Sequence, residues 1–314
     1  MERSALYYLA AASNRFEGEY PVKASLRYRW RVLSIASLVG IFAATSGGSS
    51  SSRPPGPLSN ETSEFCELAD PSFITWFPKE FECPICKTKN IFLVVGSYGN
   101  YIYQDPSKYQ LIFWPYTDSP GWYSCSKCHL SAFMGDFEHI PVDKLPDLRK
   151  ALAEVTLPQQ PQRSAKESLE RPPYLDIPVS ARMAVAEKVY RILGRDNDAF
   201  MNHFYRVVGY HAGETSAADE ARKKSIAITE RQLTDPSLAG QRKELLYILG
   251  AMRHFTGDDA GAKKAFNEAS KEKYQNSDLK TEQNTGYDAY LTELINEYLE
   301  MLARGEGPRQ KARR

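Results

Sequence analysis

Two pairs of cysteines in one spacing, Cys83-Pro-Ile-Cys86 and Cys125-Ser-Lys-Cys128, constrain this chain more than any other feature. A C-x-x-C turn aims two sulfurs at one ion from a single tight loop, so two such turns supply a complete tetrahedral thiolate shell. A shell closed by four protein ligands leaves no position for water or substrate, which argues for a structural site rather than a catalytic one. Zinc is the expected metal on Cys83, Cys86, Cys125 and Cys128. Iron on the same four sulfurs is the alternative, because ligand identity alone does not separate the two. Dithiol or disulfide chemistry is the third reading.

Four thiolates around a divalent ion carry a formal charge near −2, and Lys87, Lys127 and His129 stand beside the ligands, where they would offset it or simply be solvated. His129 is also a conceivable fourth ligand, although a residue next to a ligand usually points away from the metal. Pro84 fixes one backbone angle of the first turn, and Ser126 holds the same place in the second. The fifth cysteine, Cys66, reads as a small buried residue without a metal role.

The chain has 314 residues, 42% of them hydrophobic and 25% charged, enough for two soluble domains. Its net charge of +1 hides an asymmetry: residues 1–58 carry 7 basic and 3 acidic side chains, and residues 59–156 carry 8 basic and 13 acidic ones. The cysteine region is therefore about −5. A region that repels phosphates cannot gain the counterion-release affinity on which nucleic-acid binding rests, so nucleic acid is not an expected partner.

Arg27, Arg29 and Arg31 precede an apolar stretch from Val32 to Thr45, followed by the small residues Ser46, Gly47 and Gly48. This is the order of an export signal, and it favours an exported or periplasmic protein over a cytoplasmic one. A membrane association is expected only if the segment stays as an uncleaved anchor, and the stretch is short beside the roughly 20 residues of a span. The lead of about 31 residues is long for a signal. A start at a codon now read as Val22 would shorten it, and a leader without a targeting role is the further alternative. Clustered thiols are easier to keep reduced in the cytosol than outside it, unless a bound metal protects them.

Five segments follow from composition and periodicity. Residues 1–60 form the leader and a Ser/Gly/Pro stretch that cannot bury a core. Residues 61–156 read as a small β-rich domain: Asn90 to Val95 and Tyr109 to Tyr116 are β-branched and aromatic runs, and 38 residues separate Cys86 from Cys125. That insertion holds Tyr98, Tyr101, Tyr103, Tyr109, Phe113, Trp114, Tyr116, Trp122 and Tyr123, either a core or a stacking platform for a ligand. Residues 157–178, with Pro158, Pro161, Pro172, Pro173 and Pro178, read as a linker without regular structure.

Residues 179–304 read as helices at Ala181 to Leu193, Ala199 to His211, Ala217 to Leu233, Arg242 to Phe255, Ala260 to Tyr274 and Gly286 to Ala303, with Gly194, Gly213 and Gly257 at helix ends. Leu246, Leu249, Gly250, Gly257, Ala262, Phe266 and Ala269 fall at the spacings of a tetratricopeptide unit, and only Arg253 misses, where an aromatic is usual. The expectation is an α+β multidomain chain: a zinc-ribbon-like β domain, then an all-α tetratricopeptide-like solenoid of three helical hairpins. Residues 305–314 are a basic tail.

The segment from Tyr123 to Ile140 resembles an uncharacterised bacterial family, a domain of unknown function. That family pairs a Cys-Pro-x-Cys turn with a later Cys-Pro-x-Cys-Gly-Tyr-Ala-Ala-Phe segment and continues into tetratricopeptide-like helices. Cys83, Pro84, Cys86, Cys125, Cys128, Ala132, Phe133, Asp136 and Phe137 match its pattern, and the similarity runs from about Phe81 to Tyr274, including Phe204-Tyr205-Arg206 and Leu245 to Gly257. Ser126 stands for its proline, His129 for its glycine and Ser131 for its alanine. These departures touch the hydrogen bonding around the sulfurs and not the ligand set. The resemblance implies the two-part architecture and no activity.

No phosphate-binding glycine loop, His-Glu-x-x-His or Gly-x-Ser-x-Gly element occurs, which argues against an enzyme. His203 and His211 lie eight apart and read as ordinary helix residues, and Asp136 with Glu138 as an acidic edge rather than an acid–base pair. The expected function is a non-enzymatic interaction or scaffold protein whose helices bind a protein or peptide partner in a groove. A redox protein, using rubredoxin-like iron or reversible thiol oxidation, is the alternative.

Overall fold

A computed structural model describes residues 75–97 and 107–308, all within one compact unit. The leader, Cys66, Tyr98 to Tyr103 and the tail from Arg309 lie outside the described residues. Among the described residues no helix is long and apolar enough to cross a membrane.

Two antiparallel hairpins carry the cysteine turns at their tips. Strands β1 (Thr75–Glu82) and β2 (Lys89–Ser97) pair with Glu82 opposite Lys89, so the first turn closes that hairpin. Strands β3 (Trp122–Ser124) and β4 (Ser131–Phe133) pair with Ser124 opposite Ser131, and the second turn closes theirs. Beneath the sulfurs lies an aromatic floor, where Phe92 stacks on Tyr123 at 4.2 Å and meets Phe137 and Tyr174 edge-on at 4.9 and 5.0 Å. The rings pack together with aliphatic side chains such as Ile85, Leu130 and Leu148 in one cluster, and edge-on pairs add to the burial.

After the second hairpin come α1 (Met134–Phe137), α2 (Leu145–Leu152) and α3 (Ala165–Glu170). The β-rich expectation for residues 61–156 missed α2, which has Pro146 in its first turn and Leu148 and Leu152 buried on one face. The linker expected at 157–178 is not free of regular structure. Ser164 and Glu167 form a reciprocal capping box on α3, and the turn Pro173–Asp176 seats Tyr174 in the floor. Proline punctuates this segment but is tolerated at the first positions of helical turns.

The remaining chain is helical: α4 (Val179–Ile192), α5 (Asp198–Ala212), α6 (Ser216–Gln232), α7 (Arg242–Phe255), α8 (Asp259–Ala269) and α9 (Thr281–Ala303). Asn197, Thr215 and Asp258 cap α5, α6 and α8 with side-chain oxygens. Gly194, Gly213 and Gly257 stand at helix ends with φ of 72°, 65° and 83°, as periodicity predicted. Helix α8 stops at Ala269, five residues short of expectation, because Tyr274 and Gln275 turn their N–H groups to Asp288 and the Gly240 carbonyl.

Helix α5 packs on α6 and α7 on α8, the most extensive helix–helix contacts among the described residues. At the α7–α8 crossing a Cβ on Gly250 would lie 2.7 Å from the Phe266 ring, so that approach requires glycine. Arg253, the misfit in the repeat pattern, reaches Glu230 on α6 at 2.8 Å and so ties the two pairs. Helix α4 instead packs on β3 and β4, and its Val185 and Val189 join Cys83, Cys125 and the aromatic floor in one hydrophobic cluster.

The segment from Lys108 to Tyr116 departs most from expectation. It is not a strand: it forms a single helical turn at Lys108–Gln110, Leu111 adopts a left-handed φ of 50°, and turns follow. A strand needs a neighbouring strand for its backbone groups, whereas the carbonyls here are taken by helix side chains. Tyr247 and Tyr298 donate to the Tyr109 carbonyl at 2.9 and 3.3 Å, and Arg206 to those of Gln110 and Leu111 at 2.7 and 3.0 Å. Of the insertion's aromatics, Tyr109, Trp122 and Tyr123 are buried, which makes them core rather than a platform.

Candidate metal centre

The four predicted sulfurs come together. Cys83, Cys86, Cys125 and Cys128 place their Sγ atoms within 4.8 Å of one another, with Cys83–Cys128 and Cys86–Cys125 both at 3.5 Å. A tetrahedron of thiolates with metal bonds near 2.3 Å has sulfur edges of about 3.8 Å, so this donor set suits zinc or iron after small side-chain adjustments. His129 takes no part in the cluster.

Backbone geometry explains why the turns point this way. In the first, the Cys83 N–H bonds the Thr88 carbonyl at 2.9 Å and the Lys87 N–H returns to the Cys83 carbonyl at 3.0 Å. In the second, Cys125 bonds Leu130 at 2.9 Å and His129 returns to Cys125 at 3.1 Å. Lys87 and His129 hold matching left-handed φ values of 61° and 60°. A glycine would adopt that conformation freely, and here two residues with side chains do so.

Four adjacent thiols cannot all ionise without a cation. Hydrogen bonding from Cys128 and then Cys83 holds Cys125 far below the ordinary thiol range, whereas the same contact with Cys125 pushes Cys128 strongly up and Cys83 up to about 12. A divalent ion held by these sulfurs would displace the thiol protons and remove the mutual repulsion of the thiolates.

Asn90 is the functional residue that sequence reasoning missed, since it read only as the start of a strand. Its buried amide donates to Cys125 Sγ at 3.6 Å and to the Thr88 carbonyl at 2.8 Å. Its Oδ1 accepts from the Ser126 N–H at 2.8 Å and from the Ser126 hydroxyl at 2.9 Å. Asn90 therefore clamps one turn to the other, as groups behind metal ligands commonly do. Lys127 adds a backbone N–H to Cys125 Sγ at 3.5 Å. Ser126, at the position that Pro84 holds in the first turn, provides the N–H that a proline lacks.

The other candidates have structural partners. Asp136 accepts from Arg195 at 2.6 Å and Tyr190 at 2.8 Å, which locks α1 to α4 and leaves no free acid–base pair with Glu138. His203 and His211 both hold Tyr116, one ring edge-on at 4.8 Å and the other donating from Nε2 to its carbonyl at 2.7 Å. Lys87 pairs with Glu82 at 3.3 Å on the surface.

No family model, no curated protein and no solved structure matches this chain.

Proposed function

We propose that this chain is a non-enzymatic interaction protein in which a structural zinc ion staples two hairpin tips and a helical layer receives a protein or peptide partner. One observation carries the reading: four buried or half-buried cysteine sulfurs cluster, with Asn90 bracing that of Cys125, so an ion held by all four would have no position for a substrate. The likeness to the bacterial family with a zinc-ribbon-like segment and tetratricopeptide-like helices rests on the residues quoted above and is part of this proposal. So is the stacking of the helix pairs into a short solenoid, which the Gly250–Phe266 approach supports.

Elemental analysis of protein from its native host tests the metal. About one zinc per chain is expected, absent from a Cys83→Ser/Cys125→Ser variant, and a chain that never carries metal overturns the reading. Visible colour with iron in that ratio would instead favour the redox alternative. For the partner, a photo-crosslinking residue at exposed Lys263 on α8 is expected to trap another protein, and one at exposed Lys79 on β1 is not. Equal trapping at both places contradicts a helical binding surface.

A further inference from the structure

A chain of buried hydrogen bonds between α5 and α6 ends on an unpaired donor. The Thr229 hydroxyl donates to the Ser225 carbonyl at 2.8 Å, so its oxygen is left to accept from the Asn202 amide at 2.9 Å. The Ser225 hydroxyl donates to Asn202 Oδ1 at 2.7 Å, which fixes the orientation of that amide. Asn202 Nδ2 therefore also donates to Gln232 Oε1 at 2.7 Å, and Gln232 turns its own NH2 group the other way. Gln232 ends α6 and is only 9% exposed, yet its Nε2 has no partner among the described residues. Buried donors left unpaired are rare because each has given up its hydration, and a water or a ligand commonly completes those that occur.

Gln232 lines a cavity of about 130 Å³ between the end of α6 and the start of α7. Leu233, Pro236, Leu238 and Leu245 make its walls apolar, and the exposed Ala239 borders it. That volume is close to the roughly 150 Å³ that admits one benzene ring and is far short of a whole drug-sized ligand, so the cavity takes a single side-chain-sized group. Its charged lining residues, Arg242 and Asp235, cancel and are already engaged. Arg242 donates to Glu272 at 3.1 Å and to the Leu233 carbonyl at 3.4 Å, and Asp235 accepts from the Ser237 N–H and hydroxyl at 2.9 and 2.7 Å. A neutral acceptor suits such a site better than a carboxylate. The loop that forms the wall is pinned, since the Gln275 N–H donates to the Gly240 carbonyl at 2.7 Å and a Cβ on Gly240 would clash with the Gln275 carbonyl.

We propose that this cavity anchors a protein partner by one leucine-like side chain, with a neighbouring main-chain carbonyl of the partner accepting from the Gln232 amide. The apolar walls supply the affinity of a buried anchor, and the directed donor selects a carbonyl beside it. This deepens the reading of the helical layer as a partner surface and rests on it, and it puts the contact where α6 meets α7.

The experiment follows the Gln232 side-chain NH2 and the Leu238 backbone amide of the full chain by proton–nitrogen NMR. The probes are N-acetyl-leucinamide, the capped peptide Ala-Ala-Leu-Ala-Ala, and isovalerate as the charged counterpart. Both amide probes are expected to move the signals saturably, the peptide binding several-fold more tightly through contacts outside the cavity and isovalerate roughly tenfold more weakly. Equal binding of the peptide and the single residue assigns the cavity to a small amide and overturns the partner anchor. Isovalerate binding best overturns the neutral acceptor, and no movement with any probe leaves water as the occupant and overturns the site. Gln232→Glu keeps the acceptor for Asn202 and removes the donor, and it is expected to weaken the amide probes about tenfold at the Leu238 signal. Ala239→Trp covers the case in which that variant fails to fold, because it fills the cavity from an exposed position and is expected to abolish binding. Unchanged binding in either folded variant overturns the proposal. No partner enters these titrations, so failure to trap a protein at Lys263 would refute the partner surface while the probes still decide the chemistry of the cavity.

Discussion

The two cysteine turns have the same backbone and different supports, and the difference shows which parts of this candidate metal site are local. Each turn closes a hairpin with the same two hydrogen bonds, and each ends in a residue at φ near 60°. Beyond that they diverge. The first has Pro84, whose ring stiffens the turn but offers no N–H. The second has Ser126, whose N–H and hydroxyl both go to Asn90, and its Cys125 sulfur accepts from Asn90 and Lys127 as well. The first turn takes side-chain donors only on its carbonyls, from Asn90 to Thr88 at 2.8 Å and from Arg149 of α2 to Ile85 at 3.4 Å, whereas in the second Asn90 reaches both a ligand sulfur and the Ser126 N–H and hydroxyl.

The largest effect expected from breaking this comparison is at the ligands. Cys125→Ser should abolish metal binding and destabilise by on the order of 4 kcal/mol, more than Cys83→Ser, because Cys125 is the sulfur on which Asn90 and Lys127 converge. Val185 and Val189 of α4 lie in the same cluster as these cysteines, so urea unfolding followed by Trp fluorescence and by helical circular dichroism should fall together. A helical transition that stays at the wild-type midpoint would show two independent domains instead.

Asn90→Ala ranks next. It removes the clamp between the turns and leaves Ser126 without its acceptor, which should weaken zinc about 10- to 100-fold in a chelator competition and cost roughly 1–3 kcal/mol. Affinity unchanged from wild type would mean that the turns are positioned by their hairpins alone. Ser126→Pro makes the second turn like the first and deletes the N–H to Asn90. A loss of about 1 kcal/mol is expected, whereas Pro84→Ser, which breaks no observed hydrogen bond, should change stability by less. Equal losses at the two positions would contradict the assigned asymmetry.

How much of this was legible in the sequence follows from how far each interaction reaches. The clustering of the four sulfurs was legible because C-x-x-C places two sulfurs through one tight turn, and the helices because their apolar period is carried by neighbours three and four residues apart. Asn90 was not, since its amide becomes meaningful only when residues 36 positions away arrive at Ser126. Nor was the fate of Tyr109, whose β-like neighbourhood carries no sign of partners 138 and 189 positions further on. Asp136 read as part of an acidic edge and its partners were hidden for the same reason, as Arg195 and Tyr190 come from the next structural layer. Patterns within one element can be read from the chain, and the groups that complete a site from another element cannot.

The smallest expected effect sharpens the comparison where the two turns agree. A left-handed residue with a side chain costs roughly 1–2 kcal/mol, and glycine removes that strain at an entropic cost of about 0.5–1 kcal/mol. Lys87→Gly and His129→Gly should therefore each stabilise by a few tenths to about 1 kcal/mol. Lys87 also gives up its surface pair with Glu82, whose contribution at such exposure is small, so its gain should be the lesser of the two. His129 keeps its backbone role in the variant, because its carbonyl still accepts from the Ser131 hydroxyl. Thermal unfolding of both metal-loaded variants reads this difference. A drop at His129→Gly with no drop at Lys87→Gly would mean that the imidazole has a packing role in the second turn that outweighs the relief of backbone strain, a further dependence of that turn on its side chains.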